Sequence, residues 1–206
     1  MKAIIEVDFL CGYYHQAALA AKNQILLHKL PESLNHAITA LVLWQCVCES
    51  YINFLIHKRK LEDHQIQVQR NGQQRKIRLM DASIKEKWLH FPRITVRKDF
   101  IANAEPFSYF TKLVELRNDL IHFNVSKLSF EKQVPEGITT KRQLLDWMGA
   151  GNYFADTVFD RIMRFALAGE LIVRDILMAL HNMLGTKPPE FLIGKPPILK
   201  VTIKKP

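Results

Sequence analysis

The chain has 206 residues, 48% of them hydrophobic, which is enough for one sizeable core and short for two independent domains. Eight Gly and nine Pro are few for this length, so a strand-and-turn fold is disfavoured and an all-α fold is expected. The net charge of +9 excludes a polyanion-repelling surface and leaves RNA, DNA or acidic protein as natural partners.

Residues 3–29 and 34–58 read as two long helices, because apolar residues recur at three and four and Pro31, Glu32 and Ser33 break the pattern between them. So short a link predicts antiparallel neighbours. In the second helix Ile38, Leu41, Val42, Cys46, Ile52 and Leu55 share a face, and Glu49 lies close enough to it to be partly buried.

The character changes over residues 58–81, where Lys58, Arg59, Lys60, Arg70, Arg75, Lys76 and Arg78 outnumber Glu62, Asp63 and Asp81. Two alternating runs flank Asn71-Gly72, a dipeptide that readily supplies positive φ, and predict a small basic hairpin. Residues 83–91 predict a short helix capped by Ser83 and ended before Pro92. Residues 58–105 thus read as an insertion between the second and third long helices. Trp88, Phe91 and Phe100 within it suit core packing better than base stacking.

The third long helix is predicted over residues 106–123, with Pro106 in its first turn. Residues 124–137 form a connection, Thr139 or Thr140 caps a short helix reaching Met148, and residues 153–184 form a long final helix that Gly185 stops. Residues 185–206 read as an extended tail in which Ile198, Leu199, Val201 and Ile203 add a strand to the hairpin edge. The expected architecture is an up-down bundle of four long helices spanning residues 1–184, with the 58–105 insertion and the tail added to it.

Cys11, Cys46 and Cys48 form no CxxC pair, which argues against a disulfide framework or a zinc site; Cys46 and Cys48 read as inert core residues. The spacing of Glu and His offers no di-metal carboxylate pattern, and no Gly-rich phosphate loop is present, so neither metal nor cofactor is expected. Glu6 and Asp8 interrupt the first apolar stretch, and apolar residues 37–48 fall short of the roughly 20 that cross a bilayer. A cytoplasmic protein without membrane attachment is expected.

On the third helix Phe110, Leu113, Val114, Leu120 and Ile121 cluster on one arc, and Arg117 falls near its centre. A guanidinium does not shed its proton in a protein, so Arg117 must meet a carboxylate, a phosphate or a wet cleft. Asn118 and His122, four apart, stack beside it. Arg117 and His122 read alternatively as a buried ion-paired Arg that fixes helix register and a His that satisfies helix-end carbonyls.

The run Arg117-Asn118-Asp119-Leu120-Ile121-His122 resembles the signature of the HEPN (higher eukaryotes and prokaryotes nucleotide-binding) ribonucleases. There an Arg and a His are separated by four to six residues, with a polar residue, often Asn, directly after the Arg. Arg59 and His64, and Arg174 and His181, have compatible spacing, but Lys60 and Asp175 follow those arginines. The resemblance implies metal-independent cleavage in which an RNA 2′-hydroxyl attacks the adjacent phosphorus and leaves a 2′,3′-cyclic phosphate. It implies catalytic roles for Arg117, Asn118 and His122 and a homodimer that brings two motif helices together. Glu49 is the expected carboxylate supporting Arg117. Lys58, Arg59, Lys60, Arg70, Arg75, Lys76 and Arg78 form the candidate RNA track. A toxin or defence nuclease restrained by an antitoxin or other partner protein is one setting; a non-catalytic helical dimer holding RNA or protein is the alternative.

Overall fold

In the computed structural model the described residues are 2–5, 8–30, 32–121, 135–140, 142–143, 158–193 and 201–204. They form five α-helices and two small antiparallel sheets: β1 (Lys2–Ile5), α1 (Asp8–Ile25), α2 (Glu32–Lys58), β2 (Gln65–Arg70), β3 (Gln73–Arg78), α3 (Ile84–Val96), α4 (Phe107–Ile121), α5 (Val158–Leu184) and β4 (Val201–Lys204). The protein is mainly helical with a small hairpin, as the composition predicts.

Helix α2 is the centre of the core. Leu41, Trp44, Val47, Cys48, Tyr51, Ile52 and Ile56 are buried on several of its sides, because α1, α3, α4 and α5 all pack on it. It is also long and apolar enough to cross a membrane by length and composition, a longer stretch than residues 37–48 suggest. Half of the apolar window is covered by the rest of the chain. Cys11 near the start of α1 is felt electrostatically by Cys48 in the second half of α2, as an antiparallel pair requires. Trp44 meets Ala166, and Tyr51 meets His181 further along, so α5 runs the same way as α2.

The hairpin forms where it is expected. Asn71 and Gly72 take φ of 52° and 76°, and Gln65 pairs with Arg78, Gln67 with Lys76 and Gln69 with Gln74. Ile66 and Val68 are buried, so the alternate face, carrying those six polar side chains, looks outward.

Several expectations are corrected. Residues 3–29 do not form one helix: Lys2–Ile5 is a strand, and α1 starts at Asp8. Ile4 and Ile5 are β-branched and suit extended backbone, and Val201 and Ile203 supply an equally β-prone partner. That partner strand therefore pairs with β1, not with the hairpin edge. Residues 198 and 199 lie outside the described residues.

Helix α3 begins as predicted, with the Ser83 hydroxyl accepting from the Glu86 N–H and the Glu86 carboxylate accepting from the Ser83 N–H. It does not stop at Phe91. The helix runs through Pro92 to Val96 and closes at Arg97 in the left-handed conformation. Proline removes one helical N–H and crowds the carbonyl of Trp88, but Trp88, Phe91 and Pro92 are all buried, and that packing holds the turn together. Trp88 lies 5.4 Å from Phe110 and 6.2 Å from Phe100, ring centre to ring centre, and Phe100 stacks on Phe107. Trp88, Phe91 and Phe100 of the 58–105 insertion are accordingly part of the core.

The capping signal before residue 142 is present. The Thr140 hydroxyl accepts from the Gln143 N–H while the Gln143 side chain accepts from the N–H groups of Thr139 and Thr140. Residues 142 and 143 are helical, whereas the rest of the helix expected to reach Met148 lies outside the described residues, as do residues 124–134 and 153–157. Helix α5 ends where predicted, with Gly185 at φ 65° and the Thr186 N–H returning to the His181 carbonyl. The segment beyond it is not simply extended: a short 3-10 turn (Glu190–Ile193) seats Phe191 in the core beside His15 and Tyr51.

Candidate functional site

Cys46, Glu49 and Asn53 are spaced by three and four on α2 and share one stripe. All three are half-buried there, and α3 and α4 bring cations to them. From α3 comes Lys87, buried, with its Nζ donating to Asn53 Oδ1 at 2.9 Å. Burial holds the Lys87 ammonium below its ordinary pKa, and the negative charges of Glu49 and Asp81 oppose that. From α4 comes Arg117. The Cys46 thiol reports both neighbours: burial and then Glu49 push its pKa up, while Arg117 pulls it down. Cys48 is pushed up more strongly, chiefly by burial, so neither thiol is an activated nucleophile.

Helix α4 buries Phe107, Phe110, Leu113, Val114 and Leu116. Leu116 widens the predicted arc, whereas Ile121, near the end of the helix, is 48% exposed. Arg117 still projects from the middle of this arc and is half-buried. One terminal nitrogen donates to Asn118 Oδ1 at 3.1 Å, and Nε is buried without a hydrogen-bond partner among the described residues. A buried donor left unmade is costly, and an anion is the ligand that would satisfy it.

The predicted site residues are thus only partly assembled. Arg117 and Asn118 are in contact. Glu49 is on the correct side of α2, but among the described residues no ion pair joins it to Arg117, and Asn118 rather than Glu49 holds the guanidinium. His122 lies outside the described residues. Of the two other Arg–His pairs with compatible spacing, Arg174 is exposed and turned to Asp175, while His181 is buried between Tyr51 and Thr186. Arg59 is exposed.

Sequence reasoning misses Lys87, although Ile84, Lys87, Trp88 and Phe91 share the spacing of an apolar helix face. That is the same anomaly that marks Arg117.

The seven basic residues of the candidate RNA track are all exposed. They are not equivalent. Arg70 pairs with Glu86, Arg78 pairs with Asp81 and Asp63, and Lys58 lies over the Phe54 ring. Arg59, Lys60, Arg75 and Lys76 have no ion-pair partner among the described residues. Also among the described residues, no group of three or more His, Cys, Asp or Glu is placed to hold a metal ion.

No protein-family model matches this chain, and no curated protein or solved structure matches it significantly.

Proposed function

We propose that this chain is a metal-independent endoribonuclease of the HEPN type, acting in the cytoplasm as a homodimer. The single observation that carries the reading is Arg117: a half-buried guanidinium on an otherwise apolar helix face, held by Asn118 and left with a buried Nε that has no hydrogen-bond partner among the described residues. Such a group suits a phosphate that accumulates charge during transfer. His122, four residues after Asn118 in sequence, serves as base or acid, the role an imidazole suits best among the side chains. In-line attack by a 2′-hydroxyl needs both, so two motif helices related by a two-fold axis complete the site. The four long helices, α1, α2, α4 and α5, are read as an up-down bundle; α1 opposed to α2, and α5 parallel to α2, support it. A toxin or defence role, with an antitoxin or other partner protein as restraint, follows from the same reading.

Incubation of the purified protein with tRNA and total RNA in EDTA tests it. Cleavage that leaves 2′,3′-cyclic phosphate ends, and that falls by about 100-fold or more in Arg117→Ala and His122→Ala, is the expected result. Intact RNA with the wild-type dimer rejects it. Arg59, Lys60, Arg75 and Lys76, exposed and without an ion pair among the described residues, favour a second reading in which the protein holds RNA without cutting it.

A further inference from the structure

Two cations and one carboxylate meet along a single stripe of α2. Glu49 has Cys46 about one turn before it and Asn53 about one turn after it. At the Asn53 end stands Lys87, its Nζ 2.9 Å from Asn53 Oδ1. At the Cys46 end stands Arg117, whose charge reaches the Cys46 thiol together with that of Glu49. Helix α3 is fastened beside α4 by Lys85 Nζ, 3.0 Å from Glu115 Oε1, and by the Trp88 ring, 5.4 Å from that of Phe110. Lys87 and Arg117 therefore come to the stripe from adjoining helices.

How these charges are partnered is the unexpected part. Lys87 is only 6% exposed, yet its ammonium donates to a neutral amide, and among the described residues it has no ion pair. Arg117 is alike, with the Asn118 amide as its partner. Glu49, half-buried between them, also has no ion pair among the described residues, although its charge is felt at both ends of the stripe. Two other carboxylates close by are already engaged, Asp81 by Arg78 and Glu115 by Lys85. Lys87, Glu49 and Arg117 thus sum to a surplus of one positive charge in a half-buried place, where screening is weak.

A carboxylate set alone opposite Arg117 would close on it as an ion pair and occupy the donors that a phosphate needs. With Lys87 drawing on the same carboxylate from the other end, Glu49 is shared, and Arg117 Nε is left without an acceptor among the described residues. We infer that Lys87 is a positioning residue of the Arg117 site: acting through Glu49, it keeps the guanidinium open to a phosphate group of a nucleotide chain and supplies the positive charge that Glu49 would otherwise cancel. This rests on reading Arg117 as the phosphate holder and not on cleavage of the RNA.

Phosphate binding, followed apart from RNA cleavage, tests it. Inorganic phosphate is titrated into the full chain while the NMR signal of the Arg117 Nε–H, identified by its loss in Arg117→Lys, is recorded; circular dichroism confirms that each variant is folded. Wild type is expected to shift that signal to saturation. Lys87→Met, which brings the sum of charges to zero, is expected to raise the dissociation constant by about 10-fold. Glu49→Gln, which leaves both cations uncancelled, should lower it by about 10-fold, and the double variant should return to within about threefold of wild type. A lysine that merely packs α3 on α2 gives no such ladder, because removing Glu49 then repairs nothing. Glu49→Gln keeps the test open if Lys87→Met misfolds. An Arg117 signal that ignores phosphate in the wild type overturns the inference, and so does a loss in Lys87→Met that Glu49→Gln leaves unrepaired. If phosphate follows the ladder while RNA stays intact, the nuclease reading fails and the role of Lys87 stands. If RNA is cut in an Arg117-dependent way while phosphate ignores Lys87 and Glu49, the reverse holds.

Discussion

The indole of Trp44 lies directly on Gly169: a Cβ at residue 169 would stand 2.0 Å from Trp44 Cδ1. The same ring donates from Nε1 to the Ala166 carbonyl at 3.1 Å and is wholly buried, so it has neither room nor a free rotation with which to yield. Gly169→Ala gains about 1 kcal/mol of intrinsic helix propensity. It is nevertheless expected to destabilise the fold by about 2 kcal/mol or more, because overpacking against a fixed ring outweighs that gain. Urea unfolding of the variant checks the sign, and an unchanged or raised midpoint would show that α2 and α5 can separate freely.

Stability is expected to fall on mild acidification. Burial lowers the pKa of His181 and of His90, and it lowers that of His15 against the opposing charge of Glu170. The unfolded chain therefore binds protons near pH 6.5 that the folded chain still refuses. The neutral-histidine contribution is fully present above that pH and is lost as pH falls through it towards the lowered folded values. Unfolding midpoints at pH 8, 7, 6 and 5 should be level at first and then decline, and replacing His181 by Gln should flatten part of the decline.

Tyr51 stands 2.6 Å from His181 Nε2, while His181 Nδ1 stands 2.7 Å from Thr186 Oγ1. Both ring nitrogens are used, one as donor and one as acceptor, which suits a neutral imidazole. Tyr51→Phe strips one of those nitrogens, in the core, of its partner and is expected to cost about 1–3 kcal/mol. Thermal unfolding at pH 8, where the histidines are neutral in both states, isolates this effect from titration.

The buried Lys87 predicts an asymmetry between its two ends. Removing the charge itself, as in Lys87→Met, also removes the cost of burying it and should be close to neutral. Asn53→Ala leaves the ammonium in place without its acceptor and should cost about 1–3 kcal/mol. If Lys87→Met proves the more damaging of the two, the attraction to Glu49 stabilises the fold more than its geometry indicates.

On the RNA-binding side of the proposal, the unpaired cations should matter more than the paired ones. Arg75→Ala and Lys76→Ala together are expected to reduce the salt dependence of single-stranded RNA binding by about 0.7 for each phosphate no longer neutralised. Arg70→Ala and Arg78→Ala should change it less, since Glu86, Asp63 and Asp81 already engage those side chains. Fluorescence anisotropy over a range of KCl concentrations measures both slopes.

What is legible directly in the sequence is local. The Ser83 cap, the Asn71-Gly72 turn and the Gly185 stop each depend on a few neighbouring residues whose backbone preferences are strong. The odd position of Arg117 is also legible, since helical spacing alone puts a charge on an apolar arc. What escapes depends on distant partners. Nothing near Pro92 reveals that Trp88 and Phe91 will be buried deeply enough to carry a helix past it, and nothing near Ile4 reveals a strand contributed by residues 201–204. Helical spacing offers Glu49 to Arg117, but the direction of approach of α3 brings Lys87 to the same stripe, and one-dimensional spacing does not encode that approach.

Phe191 touches His15 and Tyr51, residues synthesised long before it. Until the ribosome has released that late phenylalanine, the seam between α1 and α2 has no lid, and an imidazole and a phenol that end up dry face water. Completion of the core is therefore deferred until the segment beyond α5 has emerged, and a nascent chain halted just after α5 would display a sticky aromatic opening to whatever passes.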